Sequence, residues 1–193
     1  MIGTLFLFLL LALYLAYLKF AKKEGVRGDA QAAYEWEERS AMPRVIAEGR
    51  LLLSEEYFRT EVPRRLGARF DQVFLGADGL VYPVDTKRRK KRQIHRYDQV
   101  ELSVQGAVLR HGRIAVVNGQ AVAPFGFIRL MVDGSLEYRR VPLLGDDELA
   151  HLHDRYYDLH AGNVEANGPD RAGACAKCAY LQSCPTGRER LGM

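Results

Sequence analysis

The sequence predicts an α/β fold, because segments with strand patterns and segments with helix patterns follow one another along a single chain. Runs with the two-residue alternation of strands flank glycine-containing turns. Two later segments repeat apolar residues at helical spacing, which indicates amphipathic helices that cover a sheet. The 193 residues suffice for one domain with a sizeable core. A 48% hydrophobic and 27% charged composition is that of an ordinary globular protein.

The apolar run at residues 2–20 predicts a single membrane helix. Only Thr4 and Lys19 interrupt it, and at about 1.5 Å per residue it is just long enough to cross a bilayer core. No basic region precedes it and no small-x-small cleavage site follows it, which disfavours a signal peptide. Basic residues follow at once, so we expect a single-pass protein of the inner or plasma membrane, with residues 1–21 as the anchor and 22–193 in the cytoplasm. A buried core helix is the alternative.

Between this run and the first hairpin, the sequence predicts one helix and one strand. Asp29 is placed to cap a helix that runs to about Ser40 and ends before Pro43. Residues 51–54 have the composition of a buried strand. Residues 54–65 are polar and contain a proline, so we expect an irregular segment there.

The first hairpin is predicted from the turn Gly76-Ala77-Asp78-Gly79. If residues 77–79 form a three-residue loop with Gly79 in the left-handed region, Gly76 lies opposite Leu80. That register places Asp71 on one strand opposite Asp85 on the next.

The hairpin therefore gathers two carboxylates and a lysine on one face. Lys87 shares the face of Asp85, because side chains alternate along a strand. Carboxylate oxygens bind Mg²⁺ or Mn²⁺, and a neighbouring ammonium orients water or stabilises charge on a phosphate. An Asp-x-Lys pattern alone is usually a solvated strand face, but the second carboxylate, Asp71, and the apolar flanking residues favour a metal site.

A basic segment follows the lysine strand. Its cations are Arg88, Arg89, Lys90, Lys91, Arg92 and Arg96. A run of like charges is ordinarily a solvated loop, but this one leaves the strand that carries the predicted metal site. Phosphate backbones attract such clusters, and the net charge of +4 permits an anionic partner. We therefore expect these residues to bind nucleic acid.

The remaining elements are predicted by periodicity and turn chemistry. Residues 97–110 read as a helix with an apolar stripe, and 113–117 as a strand candidate. Asp133-Gly134 is typical of a type I′ turn between strands at 127–132 and 135–141. An amphipathic helix is expected from Asp146 or Asp147, with Tyr156 in its core-facing stripe.

Three cysteines near the end of the chain predict a metal or cluster site. Cys175, Cys178 and Cys184 are the only cysteines of the protein, and a proline follows the last one. Cys-x2-Cys with a third cysteine before a proline is typical of iron–sulfur ligands, and tetrahedral zinc is the competing occupant. Unligated cytoplasmic thiols are the remaining alternative.

In this order, the motifs resemble the RecB-like branch of the PD-(D/E)xK nucleases, and most closely the CRISPR-associated RecB-like exonucleases that carry an iron–sulfur cluster. The resemblance covers roughly residues 50–185. Gly67-Ala68-Arg69-Phe70-Asp71 is similar to the family's Gly-x-x-Asp motif, and Val84-Asp85-Thr86-Lys87 to its (D/E)xK motif. The cysteine tail is similar to the family's three C-terminal cluster ligands, whereas the upstream fourth cysteine has no counterpart here.

The resemblance implies a restriction-endonuclease-like fold, in which helices flank a mixed central sheet. It implies that Asp71 and Asp85 bind the divalent metal and that Lys87 assists the attacking water. The family also carries a Gln-x-x-x-Tyr motif on the helix after the lysine strand. The best register here gives Glu101 and Gln105 as the corresponding site residues.

The register of the helix motif and the upstream acid of the family each have alternative candidates in this sequence. Gln99 with Ser103 is a second possible register of the helix motif. An upstream helix of the family usually supplies another acid or histidine, for which Glu35 and Glu38 are the candidates.

The sequence thus predicts a metal-dependent DNA nuclease, exonuclease-like, that acts in DNA processing, repair or defence. The expected cofactors are Mg²⁺ or Mn²⁺ and a [4Fe–4S] cluster, with zinc as the alternative in the cysteine site. The rival function is a catalytically inactive nucleic-acid-binding module with a cysteine-bound structural metal. A third is a membrane-tethered interaction protein in which the acidic residues are structural.

Overall fold

The computed structural model describes residues 38–117, 119–165, 168–169 and 172–193. The predicted anchor at 1–21 and most of the helix expected from Asp29 lie outside the described residues, and the helical residues 38–41 are followed by Pro43. Within the described ranges, the structure has no helix with the length and apolarity that a membrane crossing requires. The chain divides into two compact units after Asp146.

The first unit is a five-stranded mixed sheet with helices. In chain order its elements are α1 (Arg44–Ala47), β1 (Arg50–Thr60), β2 (Leu66–Leu75), β3 (Val81–Arg88), α2 (Arg96–His111), β4 (Phe125–Val132) and β5 (Ser135–Pro142). The strands lie in sequence order, and only β3 and β4 are parallel. Parallel neighbours need a crossover, which α2 provides. The α/β prediction, with a mixed sheet flanked by helices, is confirmed.

The hairpin between β2 and β3 has the predicted turn and register. The Gly76 amide donates to the Leu80 carbonyl at 2.8 Å, and Gly79 has a φ of +80°. Paired residues run from Leu75 and Val81 to Gln72 and Val84. The next position in this register places Asp71 level with Asp85.

Two predicted segments differ in the structure. Strand β1 continues through residues 54–60, where an irregular segment was expected, because Glu56 pairs with Phe70 and Thr60 with Leu66 of β2. An edge strand keeps its polar side chains in solvent, so polarity did not exclude pairing. Residues 113–117 form a turn and not a strand, with the Val117 amide donating to the Ile114 carbonyl at 3.0 Å.

The core lies mainly between α2 and the sheet. Leu102 of α2 packs with Ile128 and Leu130 of β4, and Val108 packs in the cluster that contains Phe70 of β2. A separate cluster on the other face buries Ile46, Tyr82, Val84 and Phe127. The β4–β5 turn has positive φ at both Asp133 and Gly134, as a type I′ turn requires.

The second unit contains most of α3 (Asp146–Ala161), then α4 (Ala172–Cys175), a 3₁₀ turn at Leu181–Ser183 and α5 (Pro185–Arg190). Helix α3 begins where the sequence predicted it. The expectation that Tyr156 packs in a core is wrong, because 57% of this residue is exposed.

Candidate active site

Five predicted site residues from β2, β3 and α2 come together on the α2 side of the sheet. Asp71 lies in β2, Asp85 and Lys87 lie in β3, and Glu101 and Gln105 lie one turn apart on α2. Asp85 pairs across the sheet with Ile128, whose side chain packs under α2. Strand alternation therefore directs Asp85 and Lys87 toward the helix.

Asp71 is anchored to the neighbouring strand. Its Oδ2 accepts the Thr86 amide at 2.7 Å. The described β2–β3 ladder ends at Gln72 and Val84, so the side chain of Asp71 takes over the contact between the strands. This hydrogen bond holds the first carboxylate beside the second and leaves Oδ1 for another ligand.

Lys87 lies between two carboxylates. Its Nζ is 2.8 Å from Oδ2 of Asp85 and 2.6 Å from Oε2 of Glu101. Burial disfavours the charge, but the contacts with these two acids outweigh it and raise the pKa of Lys87. The lysine is thus an ammonium at neutral pH, which suits it to orient water and to stabilise phosphate charge rather than to accept a proton.

Asp85 is the buried centre of the cluster. Only 5% of its side chain is exposed, and Gln105 Nε2 donates to its Oδ1 at 3.3 Å. Burial raises the pKa of Asp85 to about 6, and the lysine opposes this shift while Glu101 and Asp71 reinforce it. The lysine forms a buried ion pair with Oδ2 of this carboxylate at 2.8 Å.

Two buried oxygen atoms of the cluster have few partners. Among the described residues, Oε1 of Gln105 is buried without a hydrogen-bond partner, and Oδ2 of Asp85 has the Lys87 ammonium at 2.8 Å. Buried polar atoms are normally satisfied, and carboxylate and amide oxygens are also ligands that a divalent cation takes.

The donor set fits a magnesium-like ion that keeps part of its water shell. In the part of the chain that the structure describes, no group of three or more His, Cys, Asp and Glu side chains is arranged to hold a metal ion. Mg²⁺ is commonly bound through one or two carboxylates plus water and substrate phosphate oxygens. Asp71 and Asp85 provide that number of carboxylates.

The structure distinguishes the two registers of the helix motif. Gln99 Nε2 donates to the Pro142 carbonyl at 3.0 Å, and Ser103 Oγ accepts the Leu144 amide at 2.8 Å. Gln99 therefore attaches α2 to the end of β5, and Ser103 attaches it to the segment that follows. Glu101 and Gln105 are the pair that faces the carboxylates of the cluster.

The upstream acid Glu38 lies elsewhere. Its Oε1 is 2.7 Å from Arg129 Nη2, and Arg129 follows the α2-facing Ile128 in β4. Alternation places Arg129, and with it Glu38, on the opposite face from Asp85. Glu35 lies outside the described residues.

The basic segment contains one half-buried cation and several exposed ones. Arg89 makes two contacts with the carboxylate of Asp98, one of them at 2.8 Å, and also contacts the Tyr97 hydroxyl at 3.1 Å. The Asp98 side chain is fully buried, and its Oδ2 accepts the His95 amide at the start of α2. The exposed cations are Arg88, Lys90, Lys91, Arg92 and Arg96.

Asp98 is a residue that the sequence reasoning missed. An acid in the first turn of a helix, three residues after the capping position His95, is a recognised signal for the start of a helix. Its pairing with Arg89 ties the end of β3 to the first turn of α2. The pair thus connects the two elements that carry the lysine and the helix residues of the site.

The three cysteines line one cavity of about 100 Å³ in the second unit. Cys175 is buried, Cys178 is exposed and Cys184 is half-buried, and none forms a disulfide. The Gly187 amide donates to Sγ of Cys184 at 3.3 Å. Amide donors to sulfur stabilise thiolates and tune iron–sulfur clusters. The three side chains thus share one cavity, although in the described residues they are not arranged around a metal position.

Comparison with known proteins gives matches among solved structures alone. No family model and no curated protein matches the chain. It is similar to a solved structure described as "Crystal structure of SSO0001", with 15% identity and a TM-score of 0.44. The match covers 70% of this chain and 61% of that chain, so this chain spans less than two thirds of that structure's length. The function is therefore inferred from the geometry of the site.

Proposed function

We propose that this protein is a Mg²⁺- or Mn²⁺-dependent DNA nuclease of the RecB-like PD-(D/E)xK type, with a restriction-endonuclease-like fold. One observation carries the proposal: Asp71, Asp85 and Lys87 converge beneath α2, with Asp85 almost fully buried and Lys87 2.8 Å from its carboxylate. Two carboxylates and an ammonium at one point serve the hydrolysis of a phosphodiester.

Each residue has a distinct task in this reaction. Asp71 and Asp85 would hold the divalent ion, which when bound supplies Lewis acidity at the phosphate and acidifies a coordinated water. Lys87 orients the attacking water and offsets the charge that develops on the phosphate oxygens. The water oxygen forms the new bond to phosphorus and releases a proton to solvent, the ester bond to the leaving oxygen breaks, and that oxygen takes up a proton from solvent. Gln105 fixes the Asp85 carboxylate through its amide.

The exposed cations after β3 supply a surface for the substrate. Lys90 and Lys91 continue from the strand that carries Asp85 and Lys87, and both are exposed. Contacts of this kind neutralise phosphates and weaken as salt rises. We therefore propose DNA as the substrate, held along its backbone without a requirement for base sequence.

The test compares the full-length protein with its Asp85→Ala variant. We expect Mn²⁺-dependent degradation of labelled single- or double-stranded DNA by the unaltered protein, and a loss of about 100-fold or more in the variant. Asp147→Ala removes an exposed carboxylate at the start of α3 and serves as the matched control. Degradation that continues unchanged in Asp85→Ala would refute the mechanism.

The rival function is DNA binding without cleavage. One observation favours it: Lys87 lies between Asp85 and Glu101, at 2.8 and 2.6 Å, and so offsets part of the negative charge of the cluster without a metal. This alternative predicts salt-sensitive DNA binding and no cleavage with any divalent ion.

The cysteine cavity and the N-terminus complete the proposal. We propose that Cys175, Cys178 and Cys184 hold a [4Fe–4S] cluster, with zinc as the alternative, on the support of their shared cavity. Anaerobic purification with a visible spectrum and metal analysis distinguishes the two, because a colourless protein with stoichiometric zinc contradicts the cluster. The apolar run at 2–20 supports attachment to the inner or plasma membrane, with the nuclease in the cytoplasm.

A further inference from the structure

A chain of three charges connects β3 to α2 at the candidate site. Asp85 is almost fully buried, Lys87 has 19% of its side chain exposed, and Glu101 has 51% exposed. The ammonium is closer to the outer carboxylate, at 2.6 Å, than to the inner one, at 2.8 Å. Lys87 thus contacts both carboxylates at once, and Glu101 Oε2 accepts a hydrogen bond from its Nζ.

Binding of a divalent cation changes the balance of this chain. A divalent ion held by Asp85 would share this carboxylate with the ammonium of Lys87. Two cations on one buried carboxylate repel each other strongly, because little water is present to screen them. The lysine must therefore move away from Asp85, and it needs a partner that keeps it near the reacting phosphate.

We propose that Glu101 is the positioning residue that retains Lys87 when Asp85 turns to the metal. This inference rests on the proposed function and assigns the half-exposed carboxylate a role that differs from metal ligation. Glu101 accepts the ammonium without moving, since the two groups are already in contact. The metal then binds without a competing cation, and the lysine stays beside the site.

The two possible roles of Glu101, positioning of Lys87 and direct ligation of the metal, predict different effects of removing its carboxylate. If Glu101 acts through Lys87, its removal weakens metal binding only while the lysine is present. If Glu101 ligates the metal, its removal weakens binding whether or not the lysine is present. A double-mutant cycle separates the two cases.

The experiment measures Mn²⁺ affinity by electron paramagnetic resonance on the full-length protein at one pH. The variants are Glu101→Gln, Lys87→Met and the double variant. We expect Glu101→Gln to weaken Mn²⁺ binding about tenfold, and by about twofold or less in the Lys87→Met background. Lys87→Met alone should strengthen binding. Circular dichroism checks that each variant is folded.

Glu48→Gln is the matched control. Glu48 has 52% of its side chain exposed and accepts Arg44 at 2.6 Å, so it reproduces the exposure and ion pairing of Glu101 away from the site. It should leave Mn²⁺ affinity unchanged.

The outcomes distinguish the two levels of the proposal. If Asp85→Ala abolishes Mn²⁺ binding, the proposed metal site stands. In that case, equal losses of Mn²⁺ affinity from Glu101→Gln in both backgrounds, or no loss in either, would overturn only the positioning role of Glu101. If the unaltered protein binds no Mn²⁺, or binds it as tightly after Asp85→Ala, the proposed function fails as well.

Discussion

Replacing Asp85 by asparagine should stabilise the metal-free protein at neutral pH, although it removes a charged partner of Lys87. Burial raises the pKa of Asp85 to about 6, whereas an unfolded chain has an ordinary aspartate value near 3.9. The folded protein therefore holds this proton more tightly than the unfolded chain does. The contribution of this group to stability is greatest below about pH 4 and declines as the pH rises to about 6.

The expected change in the free energy of unfolding follows from the pKa shift of Asp85. About two pKa units at 1.36 kcal/mol each give roughly 3 kcal/mol as the cost of ionising Asp85 in the folded protein. Asparagine is nearly isosteric and uncharged, so Asp85→Asn avoids this cost. We expect the variant to gain up to about 3 kcal/mol in the free energy of unfolding at pH 7 and little at pH 4.

Urea denaturation of the full-length protein in EDTA, from pH 4 to pH 7.5, measures this gain. The difference between variant and unaltered protein is the informative quantity, because Asp98 and Asp146 have lowered pKa values and add a slope of opposite sign to both. Asp147→Asn, at an exposed position, should shift the curve by less than about 0.5 kcal/mol at every pH. A variant that is less stable at pH 7, or a difference that does not change with pH, would show that Asp85 does not carry a raised pKa in the folded protein.

Three further predictions concern the basic segment and the cysteines. Arg89→Met should lower the free energy of unfolding by about 3 kcal/mol, measured in urea, because it leaves the fully buried carboxylate of Asp98 without its cation; an unchanged midpoint would contradict the pairing. Lys90→Glu with Lys91→Glu should weaken DNA binding and reduce the slope of log affinity against log salt by about two, with an unchanged urea midpoint, whereas an equal slope would place the DNA elsewhere. Cys184→Ser should lower the iron or zinc content of anaerobically purified protein, and full metal content in the variant would exclude Cys184 as a ligand.

Much of the sheet and two of the site carboxylates could be predicted from local sequence. The turn residues Gly79 and Gly134 adopt the positive φ that their positions required, and these turns set the register of both hairpins. Register then placed Asp71 beside Asp85, and alternation placed Lys87 with them. Each of these inferences depends only on near neighbours in the chain, where backbone sterics leave few choices.

Local sequence did not predict contacts between residues that are far apart in the chain. The polar residues 54–60 pair with β2 because β2 offers a free edge, and polarity alone gave no sign of it. Gln105 lies on a different element from Asp85, and its amide reaches the Asp85 carboxylate at 3.3 Å because α2 packs on the sheet.

By itself, the sequence determined the α/β class, the two tight turns and the gathering of Asp71, Asp85 and Lys87 on one face. Tertiary packing determined which face of α2 meets them, and so selected Glu101 and Gln105 over Gln99 and Ser103. The physical reason is that each residue turns a helix by about 100°, so its orientation depends on how its apolar stripe packs on strands far away in the chain.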